Sequence, residues 1–224
     1  MSARKSVLTE AMLRALYLPR GACVPVPAGT VLTPLAQEYA REQGLAITRL
    51  AEGCAAGEKP EHMTHLNGSV LVPKTHPRIT LRGKLDSLEA LLLQTQLLAQ
   101  ERGRPETAQS LGEVYSLAQR ILGAEVKNEA LGSFTLLGLD SAGLRAASHN
   151  PQVYAGLSHH PVPEPGMGAL CLALNFLRTQ VRETELAAAA AFCPECGEVE
   201  RPDLLEALNR MSSAVYLLFL KELS

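Results

Sequence analysis

Apolar residues recur every three to four positions over most of the chain that follows residue 78, and this spacing predicts amphipathic α-helices. Proline, glycine and short polar residues mark where these helices begin and end. The predicted helices cover residues 79–101, 105–128, 141–148, 175–192 and 201–220. The fold class predicted from this pattern is mainly α, with these five helices forming an up-and-down bundle.

The amino-terminal part of the chain alternates short apolar stretches with turn residues, which is typical of a small α/β module. The helix predicted over 33–44 has the clearest ends, with Thr33 at the N-cap, Pro34 at the first position and Gly44 at the end. The other predicted elements are a short helix over 7–17, an extended segment over 23–29 and a strand over 46–50. We therefore predict an amino-terminal module over 1–55, a linker with a strand-like entry over 56–76, and a helical bundle over 77–224.

Residues 149–166 differ from both regions because they are rich in proline, glycine and histidine. This segment leads directly into the helix predicted over 175–192. Loops that carry function are often held beside a rigid element. We therefore interpret residues 149–166 as a ligand lid, and refer to them as the lid segment.

The helix that follows the lid segment contains a short row of charged residues, Arg178, Arg182 and Glu185, which the helical repeat places on one face. Apart from Glu183, these are the only charged side chains between residues 166 and 193. Burying two guanidinium groups and a carboxylate costs several kcal/mol unless they are paired or bind a charged ligand. This charged stripe is either an interhelical salt-bridge network or an anion site, and the pattern alone favours the network.

Small polar residues also share one face of the last helix, where Asn209 and Ser213 are four positions apart and Ser212 lies three positions after Asn209. Such residues commonly form hydrogen bonds between packed helices. Polar patches on two consecutive helices, however, also indicate a ligand pocket.

Three charged residues nearer the start of the bundle have two interpretations each. Asp86 could face inward toward an arginine, or it could be a solvated carboxylate near the start of its helix, favoured there by the helix dipole. Lys74 and Arg78 flank a proline turn and could bind phosphate, although surface cations are the more common case.

Composition narrows the functional classes. The net charge of −2 and the 20% share of charged residues give no indication of a nucleic-acid surface. The five cysteines are scattered and odd in number, which favours reduced thiols in the cytoplasm. The uncharged run over residues 165–177 is too short to cross a bilayer. We therefore predict a soluble, cytoplasmic protein that does not bind a membrane.

Motifs for metals and nucleotides are sparse. Cys193 and Cys196 form a Cys-Pro-Glu-Cys pair, but no second pair at zinc-ribbon spacing exists. His62 and His65, near Cys54, could complete a site contributed by a loop. The sequence contains neither a Walker-type phosphate loop nor a Gly-x-Gly-x-x-Gly motif, so a nucleotide would have to be held in another way.

Several ordered segments carry a resemblance to a known family. The segments LRTQVRETE and RPDLLEALNRMSSAVY resemble the carboxyl-terminal signature of cobalamin adenosyltransferases, specifically the ethanolamine-utilisation type. Residues 64–87, 129–132 with 136–151, and 160–166 resemble further blocks of that family in the same order. The resemblance covers about residues 60–224, and TPLAQEYAREQGLAI resembles the family's amino-terminal module.

The resemblance implies a reaction in which cob(I)alamin attacks the 5′ carbon of ATP, which yields adenosylcobalamin and releases the phosphate chain. ATP is then the cosubstrate, accompanied by Mg²⁺, and cobalamin is the substrate. The related propanediol-utilisation enzymes are trimers of five-helix bundles with ATP between subunits. The resemblance therefore implies a homo-oligomer, with a trimer favoured, and an association with bacterial microcompartments.

The resemblance also assigns roles to individual residues. Arg178 would pair with Asp86 across a subunit interface and help to place ATP, while Arg182 and Glu185 would contact the nucleotide. Asn209 would lie in the same pocket. The remaining implied contacts are Lys74 and Arg78 near the triphosphate, and Val162 and His160 of the lid segment near the corrin ring.

The sequence departs from this family pattern in three places. The propanediol-type enzymes carry a phenylalanine before the Pro-Gly of the lid, where this chain has Val162. Their Gly- and Thr-rich amino-terminal ATP loop is missing. Many ethanolamine-type members have a histidine followed downstream by Cys-Cys-x-x-Cys, whereas only Cys54 stands in that region here. We therefore predict no structural transition metal.

Two other functional classes are compatible with the residues. One is a non-catalytic helical assembly protein in which the charged stripe is an interface network. The other is a corrinoid-binding or delivery module that transfers no adenosyl group. The helix predicted over 7–17 could dock onto a partner, such as a microcompartment shell, or simply pack onto its own module.

Overall fold

The computed structural model describes residues 6–16, 18, 22–49, 60–67, 70–193 and 198–223. The chain divides into two compact units, Met1–Ile79 and Thr80–Ser224. Residues 56–59 of the predicted linker and Cys54 lie outside the described residues, as does Cys196 of the predicted cysteine pair.

The amino-terminal unit contains short strands and two short helices. In chain order these are β1 (Val7–Leu8), α1 (Glu10–Arg14), β2 (Cys23–Val26), β3 (Val31–Leu32), α2 (Pro34–Glu42), β4 (Ala46–Arg49), β5 (Met63–Asn67) and β6 (Val70–Pro73). The strands β1 and β3 pair in parallel, as do β2 and β4, whereas β5 and β6 form an antiparallel pair. The predicted α/β character of this region is confirmed.

The helix boundaries in this unit follow from local chemistry. The predicted cap of α2 is confirmed, because the Thr33 hydroxyl accepts a hydrogen bond from the Ala36 N–H at 3.2 Å. The prediction of a helix over 7–17 was too long. Val7 lies in β1 and pairs with Val31 of β3, and Thr9 then caps a helix that ends at Arg14.

The apolar core of this unit is formed by residues from α1, α2, β2 and β5, among them Leu13, Val24, Ala36 and Leu66. Arg78 is fully buried in the same unit. Its guanidinium donates a hydrogen bond to the Ala15 carbonyl oxygen at 2.6 Å. A buried arginine that binds a backbone carbonyl supports the local fold, since the charge is partly satisfied there.

The carboxyl-terminal unit is helical, which confirms the mainly α class. Its elements are α3 (Pro77–Glu101, which begins in the amino-terminal unit), α4 (Pro105–Lys127), α5 (Ser141–His149), α6 (Pro151–Ala155), a 3-10 helix (Pro165–Met167), α7 (Gly168–Phe192) and α8 (Pro202–Leu223). The five predicted bundle helices correspond to α3, α4, α5, α7 and α8. The sequence missed α6, which begins with a proline and ends at Gly156, where φ is 71°.

Contacts at opposite ends of helix pairs show that neighbouring helices run antiparallel. Between α3 and α4, Arg82 binds Glu125 at 2.5 Å, and the Gln96 amide donates to the Ala108 carbonyl at 3.0 Å. Between α4 and α8, the start of one helix meets the end of the other through Lys221. The helix α8 contacts α4, α5, α6 and α7, and its apolar side chains form much of the core.

The start of α8 is fixed by a buried arginine. The Arg201 guanidinium donates to both carboxylate oxygens of Asp203 at 2.9 Å and to the Glu129 carbonyl at 2.9 Å. Asp203 in turn accepts the Leu131 N–H at 3.0 Å. Partial burial would raise the pKa of Asp203, but the Arg201 guanidinium and backbone N–H groups hold it below its ordinary value.

Within the described ranges, every helix is too short or too polar to cross a membrane.

Candidate functional site

An open cleft of about 770 Å³ lies in the carboxyl-terminal unit, between α7, α8, the end of α5 and the lid segment. The helix α7 contributes all three residues of the charged stripe to its wall. The spacing of these residues therefore does place them on one face, as predicted. From α8 come Asn209, Ser212, Ser213 and Tyr216, and from the lid segment His149, His160 and Pro161.

The two arginines of the stripe have no carboxylate partner among the described residues. Arg178 is partly buried, donates to the Asn175 side-chain oxygen at 3.3 Å, and lies over the Tyr216 ring, with 6.0 Å from its Cζ atom to the ring centroid. Arg182 is exposed. Burial lowers the pKa of Arg178, and the neighbouring positive charge of Arg182 lowers it further.

The contacts of these two arginines bear on whether the charged stripe is a salt-bridge network or an anion site. A salt-bridge network involving Arg178 or Arg182 does not form within the described part of one chain, although the pattern favoured it. Among the described residues, Glu183 is the one member of this helix stretch in an ion pair; it lies outside the stripe and binds Lys84 at 2.7 Å. Two adjacent guanidinium groups without a counter-charge form a site suited to an anion, since each can donate paired hydrogen bonds to phosphate or carboxylate oxygens.

The third residue of the stripe belongs to a chain of hydrogen bonds. The Asn209 amide donates to Glu185 at 2.9 Å, and Arg210 donates to the Asn209 side-chain oxygen at 2.6 Å. Arg210 also donates to the Ser141 hydroxyl at 3.0 Å, and that hydroxyl donates to Glu206. The chain thus connects α7, α8 and α5, and it fixes which side of the Asn209 amide faces Glu185.

Of this chain of hydrogen bonds, the sequence analysis named Glu185 and Asn209 and missed Arg210, Ser141 and Glu206. Arg210 is 9% exposed and has no carboxylate within hydrogen-bonding distance in the described part of the chain. A signal was available, because Arg210 is the only charged residue between Glu206 and Lys221. Arg210 also lines a second cleft, of about 490 Å³, together with Arg145 and Ser141.

One side chain of the lid segment, that of His160, forms a hydrogen bond across the cleft. The Nδ1 atom of His160 and the hydroxyl of Tyr216 form a hydrogen bond of 2.5 Å. Burial raises the pKa of Tyr216, which the nearby Arg178 charge offsets in part. Val162 follows two residues after His160, and its side chain is 80% exposed. An exposed valine beside a cleft is available to pack against a ligand.

The remaining predicted residues lie elsewhere. Asp86 is exposed on α3 and has no hydrogen bond or ion pair with the described residues, so its pairing with Arg178 of another subunit stays a prediction. Lys74 is exposed in the turn after β6. The full burial of Arg78 leaves its guanidinium inaccessible to a triphosphate in this conformation, and the structure therefore gives no support to the predicted contact.

Metal ligands do not cluster in the described residues, where no three His, Cys, Asp or Glu side chains could hold an ion together. Cys193 is an exposed free thiol. Because Cys54 and Cys196 lie outside the described residues, the expectation that the protein needs no structural transition metal stays a prediction.

Comparison with known proteins assigns the chain to a family. Residues 55–222 match the family model described as cobalamin adenosyltransferase. The corrinoid adenosyltransferase EutT of Escherichia coli (strain K12) is 35% identical over 251 aligned positions, which span 96% of this chain and 92% of that protein. The protein of the same name from Salmonella typhimurium (strain LT2) is 34% identical over 248 positions, which span 95% and 91% of the two chains. No solved structure matches. The chain therefore belongs to the cobalamin adenosyltransferase family and is a transferase.

Proposed function

We propose that the protein transfers the adenosyl group of ATP to cob(I)alamin, and that the cleft between α7 and α8 is where it does so. The observation that carries this proposal is the pair Arg178 and Arg182, two cations without a carboxylate partner among the described residues, in a cleft whose opposite wall is polar. A family that acts on ATP needs such a site for the phosphate chain.

The reaction places two demands on the protein. The Co(I) centre supplies an electron pair to C5′ of ATP, a Co–C bond forms, and the C5′–O bond breaks with its electrons leaving on the triphosphate. The corrinoid substrate thus supplies the nucleophile. What remains for the protein is to hold C5′ over cobalt and to stabilise the charge that develops on the leaving oxygen.

The charged stripe fits both demands. Arg182 is exposed and unpaired among the described residues, so it can take up a phosphate oxygen without losing another partner. Glu185 has one oxygen bound by Asn209, which leaves the other to accept a ribose hydroxyl. Arg178 lies deeper, beside Tyr216, where it would stabilise charge near the reacting carbon or pair with Asp86 of another subunit. We also propose Lys74 as a contact of the triphosphate, as the family resemblance implies.

The lid segment would cover the corrin ring. In this proposal Val162 packs under the ring and excludes the lower axial ligand of cob(II)alamin, so that the cobalt becomes four-coordinate and easier to reduce. The exposure of Val162 and the position of His160 at the cleft support this assignment.

The oligomeric state and the cellular location are part of the same proposal. Asp86, Ala90, Leu93 and Leu97 form an exposed face of α3, and the two leucines are 47% and 55% exposed. An apolar face of this kind, with a carboxylate at its end, supports a homo-oligomer, for which we favour a trimer. We further propose that Mg²⁺ accompanies ATP, that the protein works in the cytoplasm, and that it serves ethanolamine utilisation in association with a microcompartment.

The test is an anaerobic assay of reduced cobalamin with ATP and Mg²⁺, followed by the absorption spectrum of adenosylcobalamin. We expect Arg182→Ala and Glu185→Ala each to lower kcat/KM by about 100-fold, the effect of removing one preorganised charge-stabilising group. Their free energies of unfolding should stay within about 0.5 kcal/mol of wild type. Arg102→Ala, an exposed arginine beyond the end of α3, is the matched control.

Two results would favour the other classes. An assembly protein would form no adenosylcobalamin, and its stripe variants would lose stability or change oligomeric state. A delivery module would shift the cobalamin spectrum equally with and without ATP.

A further inference from the structure

Tyr216 is the one side chain of α8 that contacts both the lid segment and the charged stripe among the described residues. Its hydroxyl bonds His160, its ring lies under the Arg178 guanidinium, and the ring stacks on Phe219 with 6.2 Å between centroids. Phe219 is 1% exposed, so the contact anchors the Tyr216 ring to the core. The ring therefore has a fixed position in the wall of the cleft, where it meets the lid segment.

The tip of the lid segment, residues 158–164, has little else to hold it in place. From Ser158 to Gly166 only Pro161 is not exposed. Among the described residues, the His160–Tyr216 hydrogen bond is the only one that joins residues 158–164 to an α-helix. The other bonds of this stretch stay local, as in the Ser158–His159 pair at 2.9 Å. One hydrogen bond thus sets where the tip of the lid segment lies.

The Tyr216 hydroxyl and the His160 ring can share this bond in either direction. Burial raises the pKa of Tyr216, so the phenol keeps its proton at neutral pH. The hydroxyl donates to Nδ1 if the imidazole proton is on Nε2, and accepts from Nδ1–H in the other tautomer. On its other side the face of the same ring attracts the Arg178 guanidinium.

We propose that Tyr216 is a positioning residue for the corrin side of the reaction: its hydroxyl holds His160, and through it Pro161 and Val162, over the cleft. This inference rests on the proposed function, because it names the residue that places the lid segment against the corrin ring. The nucleotide groups Arg182, Glu185 and Asn209 do not depend on this bond. Its loss should therefore affect the corrinoid and leave ATP binding intact.

The experiment compares Tyr216→Phe, His160→Ala, the double variant and His160→Gln in the anaerobic assay, with the full-length protein. Tyr115→Phe is the matched control, because Tyr115 is a partly exposed tyrosine on α4 whose hydroxyl accepts a hydrogen bond from Gln119 at 3.0 Å. We expect each single variant to raise the KM for cobalamin about fivefold, the effect of one lost hydrogen bond, with the KM for ATP within about twofold. The double variant should be no worse than either single one, and His160→Gln, which keeps an acceptor, should recover most of the loss.

A second readout does not depend on turnover. With ATP bound, the fraction of cob(II)alamin that becomes four-coordinate, measured by electron paramagnetic resonance, should fall in Tyr216→Phe and stay at the wild-type level in Tyr115→Phe. Multiplicative effects of the two single variants, an equal rise in both KM values, or an unchanged four-coordinate fraction would overturn the proposal. Failure of the wild-type protein to form adenosylcobalamin would instead contradict the proposed function, which distinguishes the two.

Discussion

Two regions of the carboxyl-terminal unit use the same kinds of charged residue in opposite ways. Where α4 begins and α8 ends, Arg104 contacts Glu222 at 3.1 Å and Lys221 contacts Glu106 at 2.7 Å. In the cleft between α7 and α8, Arg178 and Arg182 have no carboxylate partner among the described residues. The first region pairs its cations with carboxylates of the same chain, whereas the second leaves its cations available to a ligand.

The cations of the two regions should also differ in what they contribute to the stability of the folded state. An arginine that is partly buried without a counter-ion is unfavourable to the folded state, which the lowered pKa of Arg178 reflects. A paired cation at the surface contributes little in either direction. Residues kept for a ligand should therefore lower activity when removed and leave stability unchanged or improved.

The largest expected effect is on the cleft. Arg178→Met keeps the length and apolar stem of the side chain and removes its charge. We expect kcat/KM for adenosyl transfer to fall by about 100-fold, while the free energy of unfolding does not fall. Steady-state kinetics and urea unfolding on the same preparation check both parts. A loss of stability comparable to the loss of activity would show that Arg178 is structural.

Where α4 begins and α8 ends, we expect the opposite result, a loss of stability with activity retained. Glu222 has a side chain that is 7% exposed and binds both Arg104 and Thr107. Glu222→Ala should lower the free energy of unfolding by about 1–3 kcal/mol, because it removes hydrogen bonds to a charged group. The value of kcat/KM should stay within about twofold of wild type. Glu106→Ala, which breaks an exposed pair, is the control and should change stability by less than about 1 kcal/mol.

An intermediate effect is expected for the hydrogen-bond chain that reaches Glu185 from outside the cleft. Ser141→Ala removes one acceptor of Arg210. The Arg210 guanidinium can then shift, and it no longer fixes the orientation of the Asn209 amide toward Glu185. The KM for ATP should rise about fivefold with the KM for cobalamin unchanged. Ser116→Ala on α4, where the hydroxyl binds only the Gly112 carbonyl among the described residues, should change neither value.

The smallest effect is a pH dependence of stability at the start of α8. Because the folded-state pKa of Asp203 lies below the ordinary value of 3.8, its contribution is present above that pH and is lost as pH falls toward the folded value. The stability difference between the wild type and Asp203→Asn should therefore shrink below pH 3.8. Urea unfolding at neutral pH and at several acidic values measures this difference. A difference that grows on acidification would contradict the assignment.

Much of the fold could be predicted from local patterns. The bundle helices follow from apolar spacing, and the start of α2 follows from Thr33 and Pro34, because these signals act within a few residues. The missed α6 shows the limit. A helix of one to two turns has too few positions for a period, and its proline and glycine are equally typical of a loop.

The candidate site was predictable to a lesser extent. The spacing of Arg178, Arg182 and Glu185 places them on one face, but spacing does not show whether a carboxylate from another helix will meet them. The same limit applies to Arg78, whose partner, the Ala15 carbonyl, lies far away in the sequence. The Tyr216–His160 bond joins residues from a helix and a loop, and no local pattern encodes it.

The helix α8 serves two purposes at alternating positions. Leu208, Met211, Val215 and Leu218 face the core, whereas Asn209, Ser212, Ser213 and Tyr216 line the cleft. A saturation library of this helix should therefore separate into two interleaved sets with the same helical period. In one set the tolerated residues would be limited by size and hydrophobicity, and in the other by the ability to bind a substrate. Selection for abundance and selection for activity would then yield two different consensus sequences from the same segment.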